Sequence, residues 1–148
     1  MTLWVANRIP AHLHELVFAM DGFANRVLST RFDADYGLFV FLNPLLEGSL
    51  DVTRLAERLN LTKAAVSKRV PVLERDGWLE TSADPGHGRR VVVTLTARGR
   101  TLVTQAGTLL ASRFAAVVSG LTIDAERFDS DLVAMISAVR TLSSEEES

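Results

Sequence analysis

With 148 residues and 47% apolar side chains, the chain is long enough and apolar enough to bury one real core, which excludes wholesale disorder. It has no cysteine, so disulfides, thiolate metal sites and thiol redox sensing are excluded together. The net charge of −2 hides an asymmetry: nine Lys and Arg face six Asp and Glu between Asp51 and Gly99, while the rest is acidic and ends in Glu145-Glu146-Glu147.

Apolar runs such as Leu38 to Leu42 are too short to span a bilayer. The N-terminus lacks the basic flank and long apolar core of a signal peptide, so a cytoplasmic location is expected.

In chain order, Ile9, Leu13, Leu16, Met20, Phe23 and Val27 recur at spacings of three and four. This predicts an amphipathic helix of about 20 residues with Pro10 in its first turn. Such a stripe packs on another helix, which in a small protein can belong to a second copy. Asp33 or Asp35 can cap a second helix running to about Leu46 and closed by Gly48. Its Leu38 to Leu42 stretch is apolar nearly all round and should be central. Asn43-Pro44 should tighten or kink its end.

Asp51 caps a third helix with Val52, Leu55, Ala56 and Leu59 inward, and after Asn60-Leu61-Thr62 a fourth begins, capped by Thr62. There Val66, Val70 and Leu73 share the inner face, and Gly77 sits where a terminating residue belongs. Pro71 lies inside this helix, where it removes an N–H and frees the Ser67 carbonyl. A bend near Val70 is expected; the contrary reading is a broken helix. Trp78 to Thr81 and Val91 to Leu95 read as paired strands around Asp84-Pro85-Gly86-His87-Gly88, which is turn chemistry throughout. Thr96 can cap a fifth helix to about Ser119, ended by Gly120. Phe128, Leu132, Met135, Ile136, Val139 and Leu142 mark a sixth, and residues 143–148 should fray as a disordered tail. There are no internal repeats.

The order helix, tight turn, helix, hairpin is that of a winged helix-turn-helix, in a mainly α (α+β) fold with a two-stranded wing. The outer face of the fourth helix carries Lys63, Ala64, Ser67 and Lys68. Such residues suit a groove-reading helix: Ser bonds bases or phosphates, Lys neutralises phosphate, and Ala permits close approach. Arg89-Arg90 beyond a turn can lower a guanidinium into a narrow minor groove. From each segment alone, an ordinary solvated face or a plain hairpin with solvated arginines reads equally well.

Three groups of residues together resemble the MarR (multiple antibiotic resistance regulator) family. They are Leu55-Ala56-Glu57-Arg58-Leu59; Val66-Ser67-Lys68 with Leu73-Glu74-Arg75-Asp76-Gly77-Trp78-Leu79; and Asp84 to Arg90 with Val91-Val92-Val93-Thr94-Leu95-Thr96 and Gly99. The resemblance implies a six-helix homodimer that binds a pseudo-palindromic double-stranded DNA operator as a transcriptional repressor, with release by a small aromatic effector. It implies dimerisation segments at 1–32 and 99–142 around a DNA-binding region at 33–98. Carried over residue by residue, the DNA candidates are Thr62, Lys63, Ala64, Ser67, Lys68, Arg69, His87, Arg89 and Arg90. The effector-pocket candidates are His12, Leu16 and Tyr36.

Four places depart from the family pattern. His87 stands where an Asp commonly steadies the wing arginine. Pro71 stands in the recognition helix. Tyr36-Gly37 stands where an amide and a large aromatic are frequent, and Arg69 also occupies a position often apolar in relatives. No enzyme is expected, because His12, His14 and His87 share no face and no phosphate loop or metal-ligand spacing stands out. No cofactor or metal is called for. The rival reading is a winged helix that docks proteins; a basic outer face argues against it, since protein-docking faces are depleted in charge at their centre.

Overall fold

In the computed structural model, residues 3–84 and 86–146 are described; Pro85 of the wing turn and residues 147–148 of the expected tail lie outside them. The chain divides into two compact units, Met1–Leu110 and Ala111–Ser148.

The first unit opens with α1, Leu3–Phe32, which is 30 residues long. Pro10 therefore lies inside the helix and not in its first turn, and the helix tolerates one missing ladder N–H there. Of the expected apolar stripe, Leu16, Met20 and Phe23 remain about 40% exposed; the helix is anchored lower down by Ala24 and Leu28. Helix α2, Tyr36–Leu42, is capped by Asp35, whose carboxylate accepts the Leu38 N–H at 2.6 Å. At Asn43 the chain tightens into a 3-10 turn, Asn43–Leu46, with Pro44 at its start. Proline cannot donate the next α-helical bond, so the expected tightening happens here and the α-helix stops four residues early.

A short strand β1, Leu50–Asp51, leads into α3, Val52–Leu59, which Asp51 caps through the Arg54 N–H at 2.8 Å. Asn60 adopts the left-handed conformation (φ 53°, ψ 42°) and turns the chain. Helix α4, Lys63–Arg75, is capped by Thr62 through the Ala65 N–H at 3.1 Å. It is continuous through Pro71, whose exposed position leaves the buried line Val66, Val70 and Leu73 intact on both sides. The broken-helix reading is thereby set aside.

Helix α4 ends in a Schellman motif: the Gly77 N–H donates to the Glu74 carbonyl at 2.9 Å and the Trp78 N–H to Leu73 at 3.0 Å. Gly77 takes the positive φ of 78° that this exit needs. Strands β2, Leu79–Ala83, and β3, Val91–Leu95, then pair antiparallel, with Thr81 opposite Val93. The sheet has three strands in the order β1-β3-β2, with Leu50 opposite Val93 and Asp51 opposite Val92. The expected two-stranded wing thus gains a third strand, one too short to leave a periodic trace in the sequence.

Helix α5, Ala97–Ser119, begins where Thr96 Oγ1 accepts the Gly99 N–H at 3.1 Å and donates to the Gly77 carbonyl at 2.7 Å. It is long and apolar enough by composition to cross a membrane, but Gly99, Leu102, Val103 and Ala106 of its first half belong to the core. That core centres on Phe41, Leu42, Leu45, Leu55, Val66, Leu79 and Val93, all nearly inaccessible. Each such side chain contributes roughly 1.5–3 kcal/mol of burial.

In the second unit, the Gly120 N–H donates to the Val117 carbonyl and Asp124 caps α6, Ala125–Glu146, through the Arg127 N–H at 3.1 Å. The helix runs past residue 142, into the segment expected to fray. It exposes Val133, Ile136, Val139 and Leu142 at spacings of three.

A Cβ at Gly99 would stand 2.1 Å from the Trp78 carbonyl oxygen and 3.1 Å from Leu95 Cδ2. Gly99→Ala should destabilise the protein by about 1–3 kcal/mol. A urea denaturation midpoint equal to that of the unmodified chain would show that this crossing is looser than described.

Candidate nucleic-acid interface

Two structures built from adjacent sequence meet at one surface. The first is the N-terminal half of α4. Because Val66, Val70 and Leu73 are committed to the core, Thr62, Lys63, Ala64, Ser67 and Lys68 are forced outward, and all five are exposed. The second is the wing tip. Its backbone closes in consecutive turns: the His87 N–H donates to the Asp84 carbonyl at 3.1 Å, the Arg90 N–H to His87 at 2.8 Å, and the Asp84 N–H to Arg90 at 2.8 Å. The Asp84 carboxylate also accepts the Gly86 N–H at 2.9 Å. These bonds order the tip without the acid that His87 replaces. Arg89 occupies the third position of the turn from His87 to Arg90 and is exposed.

The wing and α4 are tied together. Glu74, on the last turn of α4, accepts both the Thr81 N–H and the Thr81 hydroxyl, each at 2.7 Å. Arg98 donates to the Asp76 carbonyl at 2.7 Å while its guanidinium lies 3.8 Å from the centre of the Trp78 ring. Between α4 and the wing lies a cleft of about 510 Å³ lined by Thr53, Lys63, Ser67, His87, Arg89 and Arg90, among others. Its one acid is Asp51. Among the described residues, no carboxylate lies within ion-pair distance of Lys63, Lys68 or Arg89. The arrangement offers mobile ammonium groups, a hydroxyl and a turn-held guanidinium to a polyanion.

Asp51 is mostly buried at the cleft floor, and its Oδ2 lies 3.6 Å from Arg90 Nε. The Arg54 N–H holds its carboxyl below the usual carboxylate range; burial opposes this and Arg90 adds a smaller lowering. The sign follows: its contribution to stability is complete above the unfolded value of about 3.9 and is lost only as pH falls through the lower folded value. At neutral pH the Asp51 carboxylate that faces Arg90 is ionised.

Other sequence-level candidates lie elsewhere. Arg69 is half-buried and turned away from the cleft, with its guanidinium 4.8 Å from the centre of the Phe41 ring. A Cβ at Gly37 would lie 3.7 Å from Arg69 Nη2 and 3.1 Å from Asp35 Oδ1. Gly37 thus lies beside the Arg69 guanidinium. The effector-pocket candidates do not converge within one chain. Tyr36 donates its N–H to Asn25 Oδ1 at 3.0 Å and stacks on Phe39 at 6.0 Å. His12 and Leu16 are exposed, and lie about 20 and 14 Å from Asn25 along α1 at 1.5 Å per residue. Burial, with the Asp21 charge adding, raises the Tyr36 phenol. Sequence reasoning missed Asp51, Glu74 and Thr81 as parts of this surface, because their roles need the sheet and the helix exit to be in place. Among the described residues no group of three or more His, Asp or Glu is placed to hold a metal ion.

A sequence profile of the MarR family matches residues 38–90, the span from α2 through the wing tip. The transcriptional regulator AdcR of Streptococcus pneumoniae serotype 2 is 44% identical over 52 residues, or 35% of this chain. The matched part spans about a third (36%) of the length of that relative. Among solved structures, the transcriptional regulator BldR from Sulfolobus solfataricus superimposes with a TM-score of 0.80 at 20% identity, covering 93% of this chain and 99% of that one. The MepR–DNA complex of S. aureus does so with a TM-score of 0.75 at 24% identity, covering 88% and 97%. At these identities the structural likeness establishes the fold, a winged helix-turn-helix. The profile match falls on the segment that builds the cationic cleft, and over residues 38–90 the chain is similar to the MarR family.

Proposed function

We propose that this protein is a sequence-specific double-stranded DNA-binding transcriptional regulator, acting as a homodimer on a pseudo-palindromic operator. One observation carries the reading: Lys63 and Ser67 of α4 and the turn-held Arg89 line the same cleft, and among the described residues no carboxylate lies within ion-pair distance of Lys63, Lys68 or Arg89. In this reading α4 enters the major groove, where Ser67 and Ala64 approach base edges and Lys63 and Lys68 meet phosphates. Arg89 enters the flanking minor groove. Arg69 supports α4 from behind through Phe41. MepR of S. aureus and FabT of Streptococcus pneumoniae, both similar in fold, have been crystallised in complex with DNA. A protein-docking winged helix is disfavoured by the cationic, hydroxyl-bearing face of α4.

The dimer is supported by apolar side chains that one chain leaves open. On α1, Phe18 is 82% exposed and Val17 55%. The second half of α5 exposes Phe114 and Val117, and α6 adds its own row. Isolated exposed apolar residues are ordinary, but runs of them on successive helices mark association surfaces. Residues 1–32 and 99–142 are accordingly read as dimerising and 33–98 as DNA-binding. Repression, a cytoplasmic setting, the lack of an enzymatic activity and release by a small aromatic effector complete the proposal; of the effector candidates, Tyr36 packs into the fold.

The test is electrophoretic mobility shift against genomic fragments over a salt series, with footprinting of the selected sites. Selective shifts are expected, weakening as salt rises, with half-site centres about 34 Å apart. Shifts without selectivity or salt dependence would favour the protein-docking reading. Lys68→Ala should lower affinity across sequences and flatten the log–log salt slope by about 0.9. Arg89→Ala should weaken binding through flanking A·T-rich positions; a changed preference at central bases instead would contradict the minor-groove role of the wing.

A further inference from the structure

The DNA-facing cleft holds one acid, at its floor, where a phosphate-binding surface gains nothing from a bare negative charge. We propose that Asp51 is a positioning residue that holds Arg90 against the base of the wing, leaving Arg89 as the guanidinium the wing delivers to the duplex. This rests on the DNA-binding reading above.

The geometry separates the two neighbouring arginines. The Arg90 backbone is locked in the neck of the hairpin, its N–H on the His87 carbonyl and its carbonyl receiving the Asp84 N–H. Its side chain turns back toward α3 and brings Nε to 3.6 Å from Asp51 Oδ2. The Asp51 carboxylate is itself fixed, because Oδ1 takes the Arg54 N–H and the Asp51 backbone pairs with Val92, two residues beyond Arg90. Asp51 is 15% exposed and Arg90 52%, so the pair sits where solvent screens it only in part. Arg89, one residue earlier, stands at the corner of the turn with no carboxylate in reach among the described residues. One acid thus links the start of α3 to the wing and cancels a cation that would otherwise face the duplex alongside Arg89.

A simpler role for Asp51 is to cap α3 and nothing more. Asn caps a helix as well as Asp does, so Asp51→Asn keeps the cap while removing the charge. Another simple role is to repel phosphate irrespective of Arg90. A double-mutant cycle separates that from the proposed hold.

The experiment uses the full chain and the variants Asp51→Asn, Arg90→Gln and their combination. Binding to a mixed-sequence duplex is measured over a salt series. In the Asp51→Asn background, where Arg90 is released, Arg90→Gln should reduce the log–log slope by about 0.9. In the unmodified background the reduction should be clearly smaller. Equal reductions in both backgrounds would overturn the proposal, since Arg90 would then act on DNA independently of Asp51. Without DNA, hydrogen exchange at the amides of residues 86–91 should quicken in each single variant and no further in the double. Unchanged exchange in both single variants would also overturn it. A chain that binds no duplex would sink the DNA reading while leaving the exchange measurement to decide the hold on Arg90.

Discussion

Helix α4 and the wing keep a fixed relation because the backbone crosses itself closely where α4 ends and α5 begins. Gly99 passes so near the Trp78 carbonyl that no side chain fits between them. Thr96 bridges the crossing, donating to Gly77 and accepting from Gly99. The wing is a loop thrown out between these two ends, so closing the crossing sets the direction in which the hairpin leaves the body. Glu74 then ties the hairpin strand back to α4 through Thr81. The cationic cleft is a consequence of that junction more than of any one cation.

Electrostatics explains why the surface can work in a protein of net negative charge. Three of the six acids of the central segment are occupied with structure: Asp51 caps α3, Glu74 braces Thr81 and Asp84 shapes the tip of the wing. Each carboxylate is held by backbone N–H groups, which is favourable for the fold and removes it from competition for the exposed lysines. Arg69 and Arg98 are likewise engaged, over Phe41 and Trp78. Lys63, Lys68 and Arg89 stay exposed, and among the described residues no carboxylate lies within ion-pair distance of them. A polyanion senses that local field and not the net charge.

Much of this was legible in the sequence. Capping residues announced themselves at Asp51 and Thr62, and the three-four spacing of Val66, Val70 and Leu73 dictated which face of α4 must point outward. Gly77 and the Asp84 to Gly88 turn residues marked the exit and the tip. Failures have physical reasons. Strand β1 is two residues long, so it exists only by pairing with β3. Pro10 resembled a helix start because the preceding residues carry no apolar period of their own. Pro71 leaves a bend or a break open, and the helix does not break because the proline ring faces solvent while the buried line on either side holds the helix. Arg69 is carried over as a DNA contact with the resemblance, and its place over the Phe41 ring depends on tertiary packing that no local pattern shows. His12 and Leu16, given as effector-pocket candidates beside Tyr36, stand on the exposed part of α1, nearer its start than Asn25, which Tyr36 meets.

The account stands or falls on whether α4 and the wing meet one duplex together. The most direct measurement is an NMR titration of the labelled full chain with a duplex recovered by genomic selection. Amides of residues 62–68 and 86–90 should shift in parallel along a single binding curve. Perturbations confined to one of the two segments, or located on α1 or α6 with both segments silent, would contradict it.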